Sequence, residues 1–228
     1  MIILNEIDQR SEEWFELRKG GLSGSRAHAF YSRRGSKLKD EFFEILAERV
    51  ARPLTPNDYA DLLDGRTFNE MVRGEILEPQ ALEKFREWYA ENKSKKSAKN
   101  IIAGRFWVSG DDEKMMLSPD GEIVNPKDPA VVEEAIEIKC LKSSKVLRAY
   151  VEQAFPDDYR EQCLMYFLVN PNLKTLYRVI YTDLMPKLEI QVFEVSRAEI
   201  EEELEKFREY VFGAMARLNE LSLELSDF

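Results

Sequence analysis

The turn Leu117-Ser118-Pro119-Asp120-Gly121 and the run Ala135-Ile136-Glu137-Ile138-Lys139-Cys140 after it constrain this chain more than any other feature. Pro, Asp and Gly together punctuate a turn, and the later run reads as a strand. Strand side chains alternate between faces, so Glu137 and Lys139 point one way while Ile138 enters a core on the other. An isolated acid in a turn, then an acid and an amine two positions apart, is also the layout of a cation site. Two carboxylates hold a hard cation through oxygen, and water and phosphate oxygens complete its shell. The lysine then sits beside the place where a water would attack, which is the toolkit of metal-assisted phosphodiester hydrolysis. Alone, Asp…Glu-x-Lys is a loose pattern, and the rest of the chain must support it.

Taken in order, Ser11 to Arg18 reads as a short helix, with Ser11 as N-cap, acids in the first turn, and Trp14, Leu17 and Phe15 as its buried stripe. Gly20-Gly21 ends it. Leu22 to Ala27 reads as a loop entering a second helix; its serines and the nearby Arg18 and Arg26 suit an anion, although plain capping is the simpler reading. Lys39 to Val50 has helical spacing, and Arg52 to Asp58 is a proline-barred loop. Phe68 to Tyr89 carries a long helical pattern that Pro79 is expected to kink or restart just after Glu78.

From Ile101 the period changes to that of strands: Ile101–Ala103, Phe106–Val108, Met115–Leu117, Ile123–Val124 and Ala135–Cys140. Helices follow over Ser143–Val151 and Tyr159–Val169, then a hairpin of Leu173–Tyr181 with Leu188–Val195, then a charged helix from Arg197 to about Leu221. The expected fold is α/β, a central mixed β-sheet flanked by helices, with residues 1–228 forming one domain.

Composition narrows the chemistry. No run approaches the length of a membrane span, and the N-terminus lacks the pattern of a signal peptide, so a cytoplasmic, membrane-free protein is expected. Two cysteines, Cys140 and Cys163, cannot supply four ligands to zinc or an iron–sulfur cluster. The single histidine, His28, has no nucleophile motif beside it and reads as an ordinary helix residue, so acid–base work falls to carboxylates, lysine or water. A net charge of −10 argues against a nucleic-acid binder, but half of it lies beyond Ser196, while bases gather in Arg33–Lys39 and Lys93–Lys99.

With these residues laid out, the chain resembles the phage lambda exonuclease family of viral recombinases (YqaJ-like) within the PD-(D/E)xK nuclease superfamily. Four blocks match in order: Trp14-Phe15-Glu16-Leu17-Arg18 with Leu22-Ser23-Gly24-Ser25; Gly74 with Glu78; Ser118-Pro119-Asp120-Gly121 with Glu137-Ile138-Lys139-Cys140; and Tyr159-Arg160-Glu161-Gln162. Their joint order is far more specific than any one of them. The chain departs from the family in a longer connection between Asp120 and Glu137, which adds Pro126, Pro129, Glu133 and Glu134.

The resemblance implies a magnesium-dependent exonuclease that degrades one strand of duplex DNA from its 5′ end and leaves a 3′ overhang. By that resemblance Asp120, Glu137, the Ile138 carbonyl and Glu78 hold two Mg2+ ions, with Mn2+ as a substitute. Lys139 positions the attacking water, Gln162 orients Lys139 or that water, and Arg18, Ser25 and Ser118 grip the terminal 5′ phosphate. It further implies a homotrimeric ring around DNA and a partner protein that anneals single strands. Two other readings stay open: a sequence-specific or repair endonuclease of the same superfamily, and an inactive DNA-binding scaffold.

Overall fold

The computed structural model describes residues 1–4, 7–29, 42, 45, 65–93, 99–141, 143–183 and 185–226. The expected loop over Arg52–Asp58, the basic cluster Arg33–Lys39, and most of the Lys39–Val50 and Lys93–Lys99 stretches lie outside them. Phe42 and Ile45 are helical and fully buried.

Five strands build the central sheet: β3 (Asn100–Ala103), β6 (Gly121–Asn125), β7 (Asp128–Cys140), β8 (Thr175–Tyr181) and β9 (Ile190–Ser196), ordered β3-β6-β7-β8-β9. Within this sheet β7 and β8 pair in parallel and the other described neighbours antiparallel. The parallel step requires a crossover, and the chain supplies α3 (Ser143–Glu152) and α4 (Arg160–Val169) there. A smaller four-stranded sheet, β1-β4-β5-β2, joins β1 (Ile2–Leu4), β4 (Phe106–Val108), β5 (Met115–Leu117) and β2 (Leu22–Ser23). The expected mixed sheet flanked by helices is therefore present. The second sheet was not legible, because β1 and β2 are too short to carry a period.

Alternation along β7 sorts the core into two layers. Ile136 and Ile138 pack with Tyr177, Val179 and the apolar face of α2 (Gly65–Asn92), namely Leu77, Ala81, Leu82, Phe85 and Tyr89. Ala135, and Val132 across the register shift that lies between it and Glu134, belong to the opposite core, with Leu176, Ile180, all of α4 from Cys163 to Val169, and the inner stripe of α5 (Arg197–Ser226). That stripe, Ile200, Leu204, Phe207, Val211, Met215 and Leu218, is the expected seam, and the helix runs beyond Leu221 to Ser226.

Four expectations are corrected. Helix α1 (Glu12–Arg18) is capped by Ser11, whose Oγ accepts from Trp14 N, but none of its residues is buried, and Phe15 is 59 % exposed. Its inner side makes polar contacts instead, as described below. The segment after β2 is a 3-10 helix, Gly24–Ala29, and not the α-helix expected from its serines. Helix α2 runs unbroken through Pro79, so packing of its apolar face outweighs the lost N–H there. The strand expected from Ala135 starts earlier and takes in most of the lengthened connection: β7 begins at Asp128, and only Pro126 and Lys127 separate it from β6. Among the described residues no helix is long and apolar enough to cross a membrane.

Candidate active site

A cavity of about 620 Å³ opens at the end of β7. It brings together all eight side chains singled out from sequence, Arg18, Ser25, Glu78, Ser118, Asp120, Glu137, Lys139 and Gln162, along with Ile138. It also holds residues that the sequence reading did not assign to a site, notably Arg10, Trp14, Lys145 and Tyr159.

The turn residue Asp120 is tied to the strand at two points. Its backbone N–H donates to the Ile136 carbonyl at 3.2 Å, and its Oδ2 accepts from the Ile138 N–H at 2.6 Å. This turn has a backbone reason to sit so close: a Cβ at Gly104 would overlap the Pro119 carbonyl. Glu137, only 1 % exposed, has three donors. The Lys139 ammonium and Gln162 Nε2 (2.8 Å) reach its Oε1, and the Tyr166 hydroxyl (2.5 Å) reaches its Oε2. Lys139 also lies 4.8 Å from the centre of the Tyr159 ring. Glu78 faces the same cavity and accepts from Arg10 Nη2 at 3.1 Å.

These placements set the charges. Burial, then Glu137 and Glu78, push the Asp120 carboxyl well above its ordinary range, and Lys139 with the Ile138 N–H offset only part of this. Burial alone would lower the Lys139 pKa, but Glu137 and Asp120 reverse the effect and hold the ammonium above its ordinary value. Burial and Glu137 likewise raise the Tyr166 phenol, which therefore remains a donor.

The donor set fits a divalent cation. Carboxylate oxygens are ligands for hard ions, and repulsion among Asp120, Glu137 and Glu78 is the electrostatic state that a divalent ion relieves. Among the described residues no three His, Cys, Asp or Glu side chains form a ready-made cage. The reason is visible: Glu137 is turned onto Lys139, Gln162 and Tyr166, and Glu78 onto Arg10.

A second cluster lies on the other wall. Arg18 Nη2 donates to Ser23 Oγ at 2.7 Å and to Ser25 Oγ at 2.6 Å, and its guanidinium stacks on the Trp14 ring, 4.0 Å from the centroid. Burial and then Arg26 lower the Arg18 pKa to about 10, which leaves it a cation at neutral pH. The Trp14 indole N–H donates to Ser118 Oγ at 2.8 Å, linking this wall to the Asp120 turn. Cationic fork and hydroxyls at this spacing suit a phosphate. Ser23 was missed as a site residue, yet its position two before Ser25 was a usable signal. Tyr166 was missed too, although it follows Gln162 by four residues and so shares its helix face. Arg10 had no such signal; its backbone adopts φ 67°, which nothing in the sequence announces.

Comparison with solved structures finds the same fold in exonucleases. The chain is similar to the alkaline exonuclease LHK-Exo from Laribacter hongkongensis, with 20% identity, 95% of this chain and 99% of that chain covered, and a TM-score of 0.65. A structure of LHK-Exo in complex with dAMP gives 18% identity over the same shares and a TM-score of 0.67. A phage related exonuclease from Haemophilus somnus 129PT gives 13% identity, 90% and 96% coverage, and a TM-score of 0.56. Comparison with curated protein sequences returns no match. The family model of the YqaJ-like viral recombinase domain matches residues 13–175. The chain thus belongs to the YqaJ-like viral recombinase family, a family of nucleases.

Proposed function

We propose that this chain is a divalent-metal-dependent exonuclease that digests double-stranded DNA from 5′ ends and leaves 3′ single-stranded overhangs for recombination by strand annealing. The observation that carries the reading is the meeting, in one cavity, of Asp120, Glu137 and Lys139 with the Arg18–Ser23–Ser25 cluster. The first group suits phosphodiester hydrolysis, and the second suits the terminal phosphate of the strand being cut.

Asp120, Glu137, the Ile138 carbonyl and Glu78 would hold Mg2+, two ions per site, with Mn2+ as a substitute. Bound there, such ions stabilise charge on the attacking and leaving oxygens. To take that role Glu137 would give up contacts of Lys139 and Gln162, and Glu78 would give up Arg10. Lys139, which lines the cavity beside Glu137, orients the attacking water. Gln162 fixes the direction of Lys139 or of that water. Arg18, braced by the Trp14 face, grips the 5′ phosphate with Ser23, Ser25 and Ser118.

We further read residues 1–228 as one nuclease domain, working as a homotrimer around DNA in the cytoplasm of a bacterial host beside a single-strand annealing protein. Family membership supports this part of the reading. Magnesium-dependent digestion of linear against covalently closed circular duplex tests the activity. Loss of the linear form alone is expected, and cutting of the closed circle would replace the exonuclease with an endonuclease.

A further inference from the structure

Glu137 has its two carboxylate oxygens held from different sides. Lys139 and Gln162, which share Oε1, both line the cavity. Tyr166, which holds Oε2, is not among the lining residues; it stands behind the carboxylate with no exposed surface. A cation or substrate entering the cavity meets the first two donors directly and leaves the third in place.

The tyrosine is itself held firmly. Its ring meets Trp107 edge-on, with centroids 5.9 Å apart and planes at 79°. The Trp107 indole N–H donates to Glu122 Oε1 at 3.0 Å, and Glu122, wholly buried, accepts the backbone N–H and guanidinium of Arg105. A buried phenol has a strong need for an acceptor, and the carboxylate at 2.5 Å is nearer than the Ile136 carbonyl at 3.3 Å.

We infer that Tyr166 is the positioning residue of this site: it keeps Oε2 of Glu137 and so presents Oε1 to the cation. The inference rests on the reading of Glu137 as a metal ligand. Removing a hydrogen bond behind a ligand loosens the ligand and typically costs metal affinity.

The test compares wild-type protein and Tyr166→Phe, which keeps the ring against Trp107. Mn2+ binding is measured by calorimetry without DNA, with circular dichroism as the check on folding. The expected result is binding about tenfold or more weaker in the variant. Alongside it, kcat at limiting Mg2+ falls, KM for DNA holds, and the rate returns at high Mg2+. Unchanged Mn2+ affinity in a folded variant overturns the inference and leaves the proposed function standing. Wild-type protein that binds no Mn2+ overturns both. Should Tyr166→Phe not fold, 3-fluorotyrosine at position 166 provides a second readout. Its fluorine resonance should shift as Mg2+ is added, and a resonance unmoved at saturating Mg2+ overturns the inference.

Discussion

The Asp120 carboxylate accepts the Ile138 N–H at 2.6 Å, so the turn acid is fastened to the very strand that carries Glu137 and Lys139. With the bond from the Asp120 N–H to the Ile136 carbonyl, this contact joins two stretches of sequence into one candidate site.

That unit is charged against its own stability. With its pKa raised in the folded state, Asp120 contributes stability that is complete below the unfolded carboxyl value and is lost as pH rises through the folded one. Without added metal, Asp120→Asn should therefore melt above wild type at pH 8, and its advantage should shrink as pH falls toward about 4. Thermal denaturation at several pH values checks this. The same variant should lose at least about 100-fold in Mg2+-dependent hydrolysis.

Lys139 neutralises a buried carboxylate, and removing it leaves Glu137 with Gln162 and Tyr166 alone. Lys139→Ala should fold, lose about 3 kcal/mol of stability in metal-free buffer, and recover part of that when Mg2+ is added. Urea denaturation with and without Mg2+ measures both effects. Hydrolysis should be abolished, and activity equal to wild type would remove Lys139 from the mechanism.

Arg18 makes charge-assisted contacts that a 5′ phosphate would inherit. Arg18→Ala should reduce kcat/KM on 5′-phosphorylated ends by about 10- to 100-fold, from a loss of roughly 1.5–3 kcal/mol. On 5′-hydroxyl ends the loss should be far smaller, and Ser23→Ala should show the same preference more weakly. Equal losses on both ends would mean that Arg18 does not read the phosphate.

Gly104 belongs to no proposed reactive group, yet a methyl there would strike the Pro119 carbonyl. Gly104→Ala should cost about 1–3 kcal/mol in stability. It should also lower kcat by shifting the Asp120 turn. Denaturation and steady-state kinetics test the pair of effects, and a variant with normal kcat would show that the turn tolerates movement.

The parts of the site that were legible lay on regular elements or beside recognisable turns. Glu137 and Lys139 could be placed because a strand alternates, whereas Gln162 stood out only through the family resemblance. The illegible parts depend on tertiary contact. Helix α1 reads as an apolar stripe, but Trp14 gives its indole N–H to Ser118 and its ring to Arg18 in a polar cavity, while Phe15 and Leu17 are exposed. Pro79 looked like a break, but Leu77, Ala81, Leu82 and Phe85 bind the helix to the sheet on either side of it. Tyr166 and Glu122 were not singled out from the sequence, and only the assembled fold shows what each holds.

Strand β7 has both of its sides covered, one by α2 and the other by α4. Displacing it by a single residue would thrust Ile138 among the acids and bury Glu137 and Lys139 against Phe85 and Leu77. Misaligned copies would be both greasy at the wrong place and inert. For this molecule, correct alignment of one ribbon is the condition on which the whole proposed site forms.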